Sequence, residues 1–225
     1  MIAHLFTDRR AAGRRLGRKL ARLQLDDPLV LGLARGGMPV AFEVAQALDA
    51  PLDVFVVRKL GVPRHEELAM GAIASGGVRA LNTDVIESLH IPPLVVEAIA
   101  VTEADELTRR ERRYRADRPF PDVRGRTVVA VDDGAATGAS MLAAVRALRQ
   151  LGAQTIVAAA PVVSRQARDV ILDVADACEH LVLPEPFYSV GTHYEQFGQT
   201  ADDEVRELLA ANRRPSVNGN GAIAG

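Results

Sequence analysis

Short apolar runs alternate with amphipathic stretches along most of this chain. The runs Pro28–Ala34, Asp53–Val57, Thr127–Val131, Thr155–Val163 and Cys178–Leu183 are five to nine residues long and rich in apolar and β-branched residues. That length and composition suit strands buried on both faces. Between them the apolar period changes to that of a helix. Thr7 to Leu23 carries Ala12, Leu16, Leu20 and Leu23 on one face, with Thr7 or Asp8 as its cap. Met38–Leu48, Gly138–Leu151, Ser164 to about Val174 and Ala201–Ala211 read as further helices, and Gly152 ends the second of these. A long helix is expected from Pro92 or Pro93 to about Arg115, with arginines crowding its last turns. Val78–Asn82 reads as a strand, and Thr83 or Asp84 caps a short helix behind it. Gly61–Gly77, with scattered glycines, a proline and the charged RHEE, reads as a long loop with little regular structure.

Strands that alternate with helices predict an α/β fold, a parallel sheet flanked by helices on both faces. No repeat or linker divides it. One domain is therefore expected over residues 1–211, with residues 1–25 as an N-terminal basic helix and 212–225 as a flexible Pro/Asn/Gly-rich tail.

Composition narrows the classes. With 48% hydrophobic and 25% charged residues among 225, the make-up is that of an ordinary globular chain long enough for a substantial core. A net charge of −2 argues against a polycation that coats nucleic acid or anionic membrane. Seven basic residues lie between Arg9 and Arg22, but nothing aromatic interleaves with them, and a solvated helix face explains them. The single cysteine, Cys178, excludes an intrachain disulfide and reads as a small hydrophobe in a buried strand, which fits a reducing, cytoplasmic setting. No apolar stretch reaches the ~18 residues of a membrane span, and the N-terminus lacks the apolar core of a signal peptide.

Ligands of parallel sheets sit at the carboxyl ends of strands. Three loops start there, after Leu33, after Val57 and after Val131. The third is the most informative: Asp132-Asp133-Gly134-Ala135-Ala136-Thr137-Gly138-Ala139-Ser140, followed by a helix. Small residues let backbone approach a ligand closely. Unpaired amides at the start of a helix, with its dipole, attract a phosphate. Thr137 and Ser140 add hydroxyl donors, and two carboxylates suit the vicinal hydroxyls of a sugar. There is no G-x-x-x-x-G-K-[ST], and Gly32, Gly36 and Gly37 lack G-x-G-x-x-G spacing, so neither common nucleotide loop is present.

The Asp132–Ser140 segment resembles the signature of the type I phosphoribosyltransferases: an apolar strand, two acids, small residues, then Thr-Gly and a hydroxyl residue. The resemblance implies a 5-phosphoribosyl pyrophosphate (PRPP) site. Its 5′-phosphate would lie on Gly134, Ala135, Ala136, Thr137, Gly138, Ala139 and Ser140, and its ribose hydroxyls on Asp132 and Asp133. Upstream, Leu33–Gly37 followed by Pro39-Val40-Ala41 looks like the family's pyrophosphate loop, with Arg35, Gly36 and Gly37 as contacts. Arg58 and Lys59 end the second strand where family members neutralise the leaving pyrophosphate, although a solvated strand-end pair remains the competing reading. Gly61–Gly77 falls where the family carries a mobile flap. Within it, Arg64 is a candidate diphosphate ligand, while His65, Glu66 and Glu67 read as a solvated patch. Four of nine aromatic residues, Phe187, Tyr188, Tyr194 and Phe197, cluster with His193 after the last strand. Phe187 and Tyr188 stand where the family places base contacts; packing of the C-terminal segment is the alternative use.

The implied reaction moves phosphoribosyl from PRPP to a nitrogen nucleophile, a nucleobase or related amine, with Mg²⁺ held mostly by substrate and water. Ala136 stands where the 6-oxopurine branch carries a carboxylate, which disfavours hypoxanthine or guanine as acceptor. The alternative function is a non-catalytic regulator that binds PRPP or a nucleotide on the same fold. The expected partners are PRPP and a small-molecule acceptor, without nucleic acid or membrane, and a homodimer is left open.

Overall fold

A computed structural model describes residues 5–63, 65–116 and 118–212. The chain runs α1 (Arg9–Leu20), β1 (Leu29–Leu33), α2 (Gly37–Leu48), β2 (Leu52–Phe55), β3 (Val57–Val62), β4 (His65–Ala74), β5 (Val78–Leu81), α3 (Thr83–Ser88) and α4 (Pro93–Arg115). It continues through β6 (Thr127–Val131), α5 (Ala139–Gln150), β7 (Thr155–Val162), α6 (Arg165–Leu172), β8 (Ala177–Val182) and α7 (Asp202–Ala211). The expectations for Arg64, for the side chains of Glu66 and Glu67 and for the tail beyond 212 fall outside the described residues.

The five apolar runs form one parallel sheet in the order β2-β1-β6-β7-β8. Strand residues alternate between two cores, as the period of two requires. Val30, Val54, Val129, Val131 and Val157 face one cluster with Leu16, Leu20, Val40, Val44 and Leu208 from α1, α2 and α7. Leu29, Leu31, Val128, Ala130 and Ile156 face the other, with Met141, Val145, Leu148 and Ile171 from α5 and α6. Both faces are covered, which is why these strands read as unbroken apolar runs.

Gly61–Gly77 is not an irregular loop. β3, β4 and β5 form a separate antiparallel sheet, with β3–β4 register shifts around Gly61. Alternation is present in β3, where Leu60 and Val62 are buried, but β4 buries Met70 and Ile73 three positions apart, across the register shift. Gly61, Gly71 and the charged hairpin end interrupt it, so no window read as a strand. α4 covers one face of this sheet through Val96, Ala100 and Leu107. Arg115, at the end of α4, is buried against β2: it donates to Asp53 Oδ1 at 2.7 Å, to Glu111 Oε1 at 2.7 Å and to the Val54 carbonyl.

α1 is capped by Asp8, whose side chain accepts the Ala11 N–H at 2.7 Å. Leu23 falls in a short 3₁₀ turn past the helix and is exposed, so it leaves the predicted apolar face. Two glycines bring α1 down onto α2. A Cβ on Gly13 would stand 2.8 Å from the Val40 carbonyl oxygen, and one on Gly17 would stand 2.6 Å from Ala47 Cβ. This contact carries the N-terminus of α1 to the carboxyl edge of the parallel sheet.

Candidate functional site

β1 and β6 are neighbours, paired from Leu29 with Val128 to Gly32 with Val131. The chain leaves β1 for α2 on one face and leaves β6 for α5 on the other. Their loops diverge and open a crevice at the carboxyl ends, the usual ligand position in such sheets. The two predicted loops meet there. A Cβ on Gly37 would stand 2.5 Å from the Val131 carbonyl oxygen, and one on Gly36 would press on the Asp133 carboxylate, so only glycine allows the approach.

The bend after β6 is held from behind. Asp132 N–H donates to the Ala159 carbonyl at 3.1 Å, and Ala135 N–H to that of Val162 at 2.9 Å. The Ala135 carbonyl accepts the Ser164 N–H at 2.9 Å, and Ser164 Oγ donates to the Ala136 carbonyl at 2.5 Å. Ala135 is thus a buried anchor and not a free phosphate amide, a correction to the sequence expectation. Its partners lie on another strand and could not be read from the loop itself. The Ala139 N–H has a long contact of 3.4 Å to Thr137 Oγ1. The amides of Gly134, Ala136, Thr137, Gly138, Ser140 and Met141 have no partner among the described residues. Gly138 turns the chain into α5 at φ 78°, a conformation that favours glycine. Residues Gly134 to Met141, with Asp132 and Val190, line a cavity of 210 Å³.

Each acid keeps one oxygen available. Asp132 Oδ1 accepts the Asp133 N–H at 2.9 Å, and Asp133 Oδ2 accepts Arg9 Nε at 2.7 Å. Asp132 Oδ2 and Asp133 Oδ1 have no hydrogen-bond partner among the described residues. Neither is sealed from solvent, because the one buried side-chain atom without a partner among those residues is Arg79 Nε. Burial raises the Asp132 carboxyl well above the usual carboxylate range, and the adjacent Asp133 charge adds to the rise. Burial raises Asp133 too, and the Arg9 guanidinium opposes it. Tyr194 donates its hydroxyl to the Asp133 carbonyl at 2.6 Å, and burial holds that hydroxyl protonated.

The two cations of the second loop part company. β3 alternation sends Arg58 and Lys59 to opposite faces. Arg58 turns to α4, where Glu103 Oε2 meets its guanidinium at 2.6 Å, so its charge is already matched away from the bend. Lys59 lines a 340 Å³ cavity with Ala139, Ser140 and Arg146, between the antiparallel sheet and α5. Arg35 sits on the crevice loop, after a cis Ala34–Arg35 peptide, and one of its Nη atoms lies 3.6 Å from Asp202. His65 opens β4 and is exposed.

The aromatic segment mostly packs. Tyr194 is buried, 5.4 Å from Phe6 and stacked at 5.0 Å on Phe197, and Phe187 lies against the same small cluster. Tyr188 is 72% exposed and Phe187 is partly buried, so of the two proposed base contacts Tyr188 presents the more open ring. Cys178 is half-buried, and burial with the Glu179 charge pushes its thiol up to about 11, which disfavours the thiolate. The basic helix is mostly engaged: Arg9 meets Asp133, Arg10 and Arg14 meet Glu43, Arg15 meets the Leu5 carbonyl, and Lys19 meets Glu179. Arg9 reaches the bend as well, and the sequence reading did not place it there. Its partner is 124 positions away, and no local pattern marks it. Among the described residues no three His, Cys, Asp or Glu side chains gather into a metal site, and no helix is long and apolar enough to cross a membrane.

Known proteins share much of this chain's sequence and fold. The family model of the phosphoribosyl transferase domain matches residues 6–195. Two Mycobacterium tuberculosis proteins, from strains CDC 1551 / Oshkosh and H37Rv, are each 47% identical over 205 residues. Both names give phosphoribosyl transferase as a provisional assignment. The match covers 91% of this chain and 46% of each relative, so the chain spans about half their length. The crystal structure of TT1426 from Thermus thermophilus is 42% identical, with a TM-score of 0.83 over 92% of this chain and 98% of that one. With the domain model matched over most of its length, the chain belongs to the phosphoribosyl transferase domain family.

Proposed function

We propose that this protein binds PRPP in the β1–β6 crevice and, with Mg²⁺, transfers its phosphoribosyl group to a nitrogen nucleophile. One observation carries the reading. Two carboxylate oxygens, Asp132 Oδ2 and Asp133 Oδ1, and six of the eight amides of Gly134–Met141 lack partners among the described residues. Two acceptors suit a vicinal diol, and bare amides at the start of α5 suit the phosphate next to it.

The 5′-phosphate lies on the amides of Gly134, Ala136, Thr137, Gly138 and Ser140, with the Thr137 and Ser140 hydroxyls beside them. The diphosphate meets the amides of Gly36 and Gly37, the Arg35 guanidinium and Lys59. Arg58, matched by Glu103, is left out of this set. The acids hold the ribose and favour positive charge as it grows on the sugar ring. The donors here address phosphate and hydroxyl groups and build no cation cage, which fits a Mg²⁺ that arrives on the diphosphate with water completing its shell. Such an ion would supply positive charge to the leaving diphosphate, beside Arg35 and Lys59. Ala136 offers no carboxylate at the bend, so the acceptor is a nucleobase or amine other than a 6-oxopurine.

Pyrophosphate release from PRPP and Mg²⁺, measured over a panel of nitrogenous acceptors, tests this directly. Release with at least one acceptor, lost in Lys59→Ala and Asp132→Asn, is expected. PRPP binding with no release from any acceptor would overturn the transferase reading.

A further inference from the structure

α1 enters the crevice at one residue. The Arg9 side chain is 12% exposed, against 51% for Arg10, 54% for Arg14 and 41% for Lys19 on the same helix. Three partners hold its guanidinium. Nε donates to Asp133 Oδ2 at 2.7 Å, one Nη donates to the Gly198 carbonyl at 2.7 Å, and Cζ lies 3.9 Å over the Phe197 ring. Phe197 stacks on Tyr194, whose hydroxyl donates to the Asp133 carbonyl. Two distant parts of the chain therefore grip one aspartate, by its carboxylate and by its backbone. Gly36 closes around the same Oδ2. The remaining oxygen, Oδ1, is the only one of that carboxylate left for a ligand among the described residues.

Holding a long side chain on three partners costs rotamer entropy, and a solvated ion pair would not repay it. A planar fork over a ring is suited to fixing a neighbour's orientation. It also places a positive charge where burial alone would favour the protonated acid.

We infer that Arg9 is a positioning residue for diol recognition: by clamping Asp133 Oδ2 it presents Oδ1, as a carboxylate oxygen, to a hydroxyl of a 5-phosphorylated ribose. This rests on the reading of the crevice as a sugar-phosphate site. The groups that face Asp133 are Arg9 from α1, Asp132 from its own loop and Tyr194 from the C-terminal segment. Arg9 favours the ionised form, the Asp132 charge opposes it, and Tyr194 stays neutral.

The test is calorimetric binding of ribose 5-phosphate, 2-deoxyribose 5-phosphate and inorganic phosphate from about pH 4 to 8. It compares wild type with Arg9→Gln, Arg9→Lys and the neighbouring Arg10→Gln. Wild type prefers the sugar that keeps its diol. Arg9→Gln loses about tenfold in ribose 5-phosphate affinity, and its acid limb moves to higher pH, because burial then raises the Asp133 carboxyl unopposed. Its sugar preference collapses, while inorganic phosphate binds as before. Arg9→Lys keeps the acid limb in place and recovers only part of the preference, because the charge returns without the fork. Arg10→Gln matches wild type. An Arg9→Gln protein that keeps both the preference and the acid limb overturns the inference. So does one that loses inorganic phosphate as well, since Arg9 then serves the fold of the bend. A wild type that does not distinguish the two sugars fails at the earlier step, the crevice reading itself.

Discussion

Burial and the adjacent Asp133 charge both raise the Asp132 carboxyl, so the folded state is penalised for ionising it. An unfolded aspartate titrates near pH 3.9, to about a unit. Below that value both states carry the proton and nothing is lost. As pH climbs through the raised folded value, stability falls. Asp132→Asn removes this cost, so the variant has a higher Tm than wild type at pH 7. The gain shrinks toward zero as pH falls to about 4, and ribose 5-phosphate affinity drops throughout. Differential scanning calorimetry across pH checks the first part, and an identical Tm at every pH would contradict it. The acid pair and the small residues after it were legible in the sequence because their chemistry is local. Ala135 and Arg9 were not, since their partners Val162 and Asp133 come from other elements. The contrast between Arg58 and Lys59 needed only strand alternation, but that strand ran on into a segment read as loop.

Close packing of α1 on α2 sets where Arg9 lands. Gly17→Val places side-chain atoms where Ala47 already stands, and overpacking of this kind costs about 1–3 kcal/mol. Urea denaturation should show that loss, together with a weaker preference for ribose 5-phosphate over its 2-deoxy analogue. Unchanged stability would mean that α1 is not seated on α2 as described. Arg115 joins α4 to β2 from a side chain only 2% exposed. Arg115→Ala leaves the buried Asp53 carboxylate without its counter-charge, with only the Val54 N–H still donating to it, and should cost about 3–5 kcal/mol. Arg115→Met with Asp53→Leu should recover much of it, and a double variant no better than the single would refute the pairing. Apart from the cap of α3, which is Asn82 and not Thr83 or Asp84, helices were well read from periodicity, as with Pro93 opening α4 and Ser164 capping α6. The antiparallel sheet was not, because its glycines and charged hairpin break the period of two.

At the scale of the molecule, the strand order puts β1 and β6 side by side with their helices on opposite faces, and the crevice follows from that order. Parallel strands with both faces covered were expected from the apolar runs, and the sheet order was not, since pairing is set by tertiary contacts. The same arrangement explains why residues from α1, the β1 loop, the β6 bend and the C-terminal segment converge on Asp133. Most of the basic helix is bound to this chain's own carboxylates and carbonyls, so its charge serves internal contacts. The most direct test of the central claim is the thermal shift given by PRPP with Mg²⁺, in wild type and in Asp132→Asn. A ligand at a hundredfold its Kd stabilises by about 2.7 kcal/mol, a Tm rise of several degrees for a chain of this size. The account predicts that rise in wild type and a clearly smaller one in the variant at the same concentration. No rise in wild type, or equal rises in both, would contradict it.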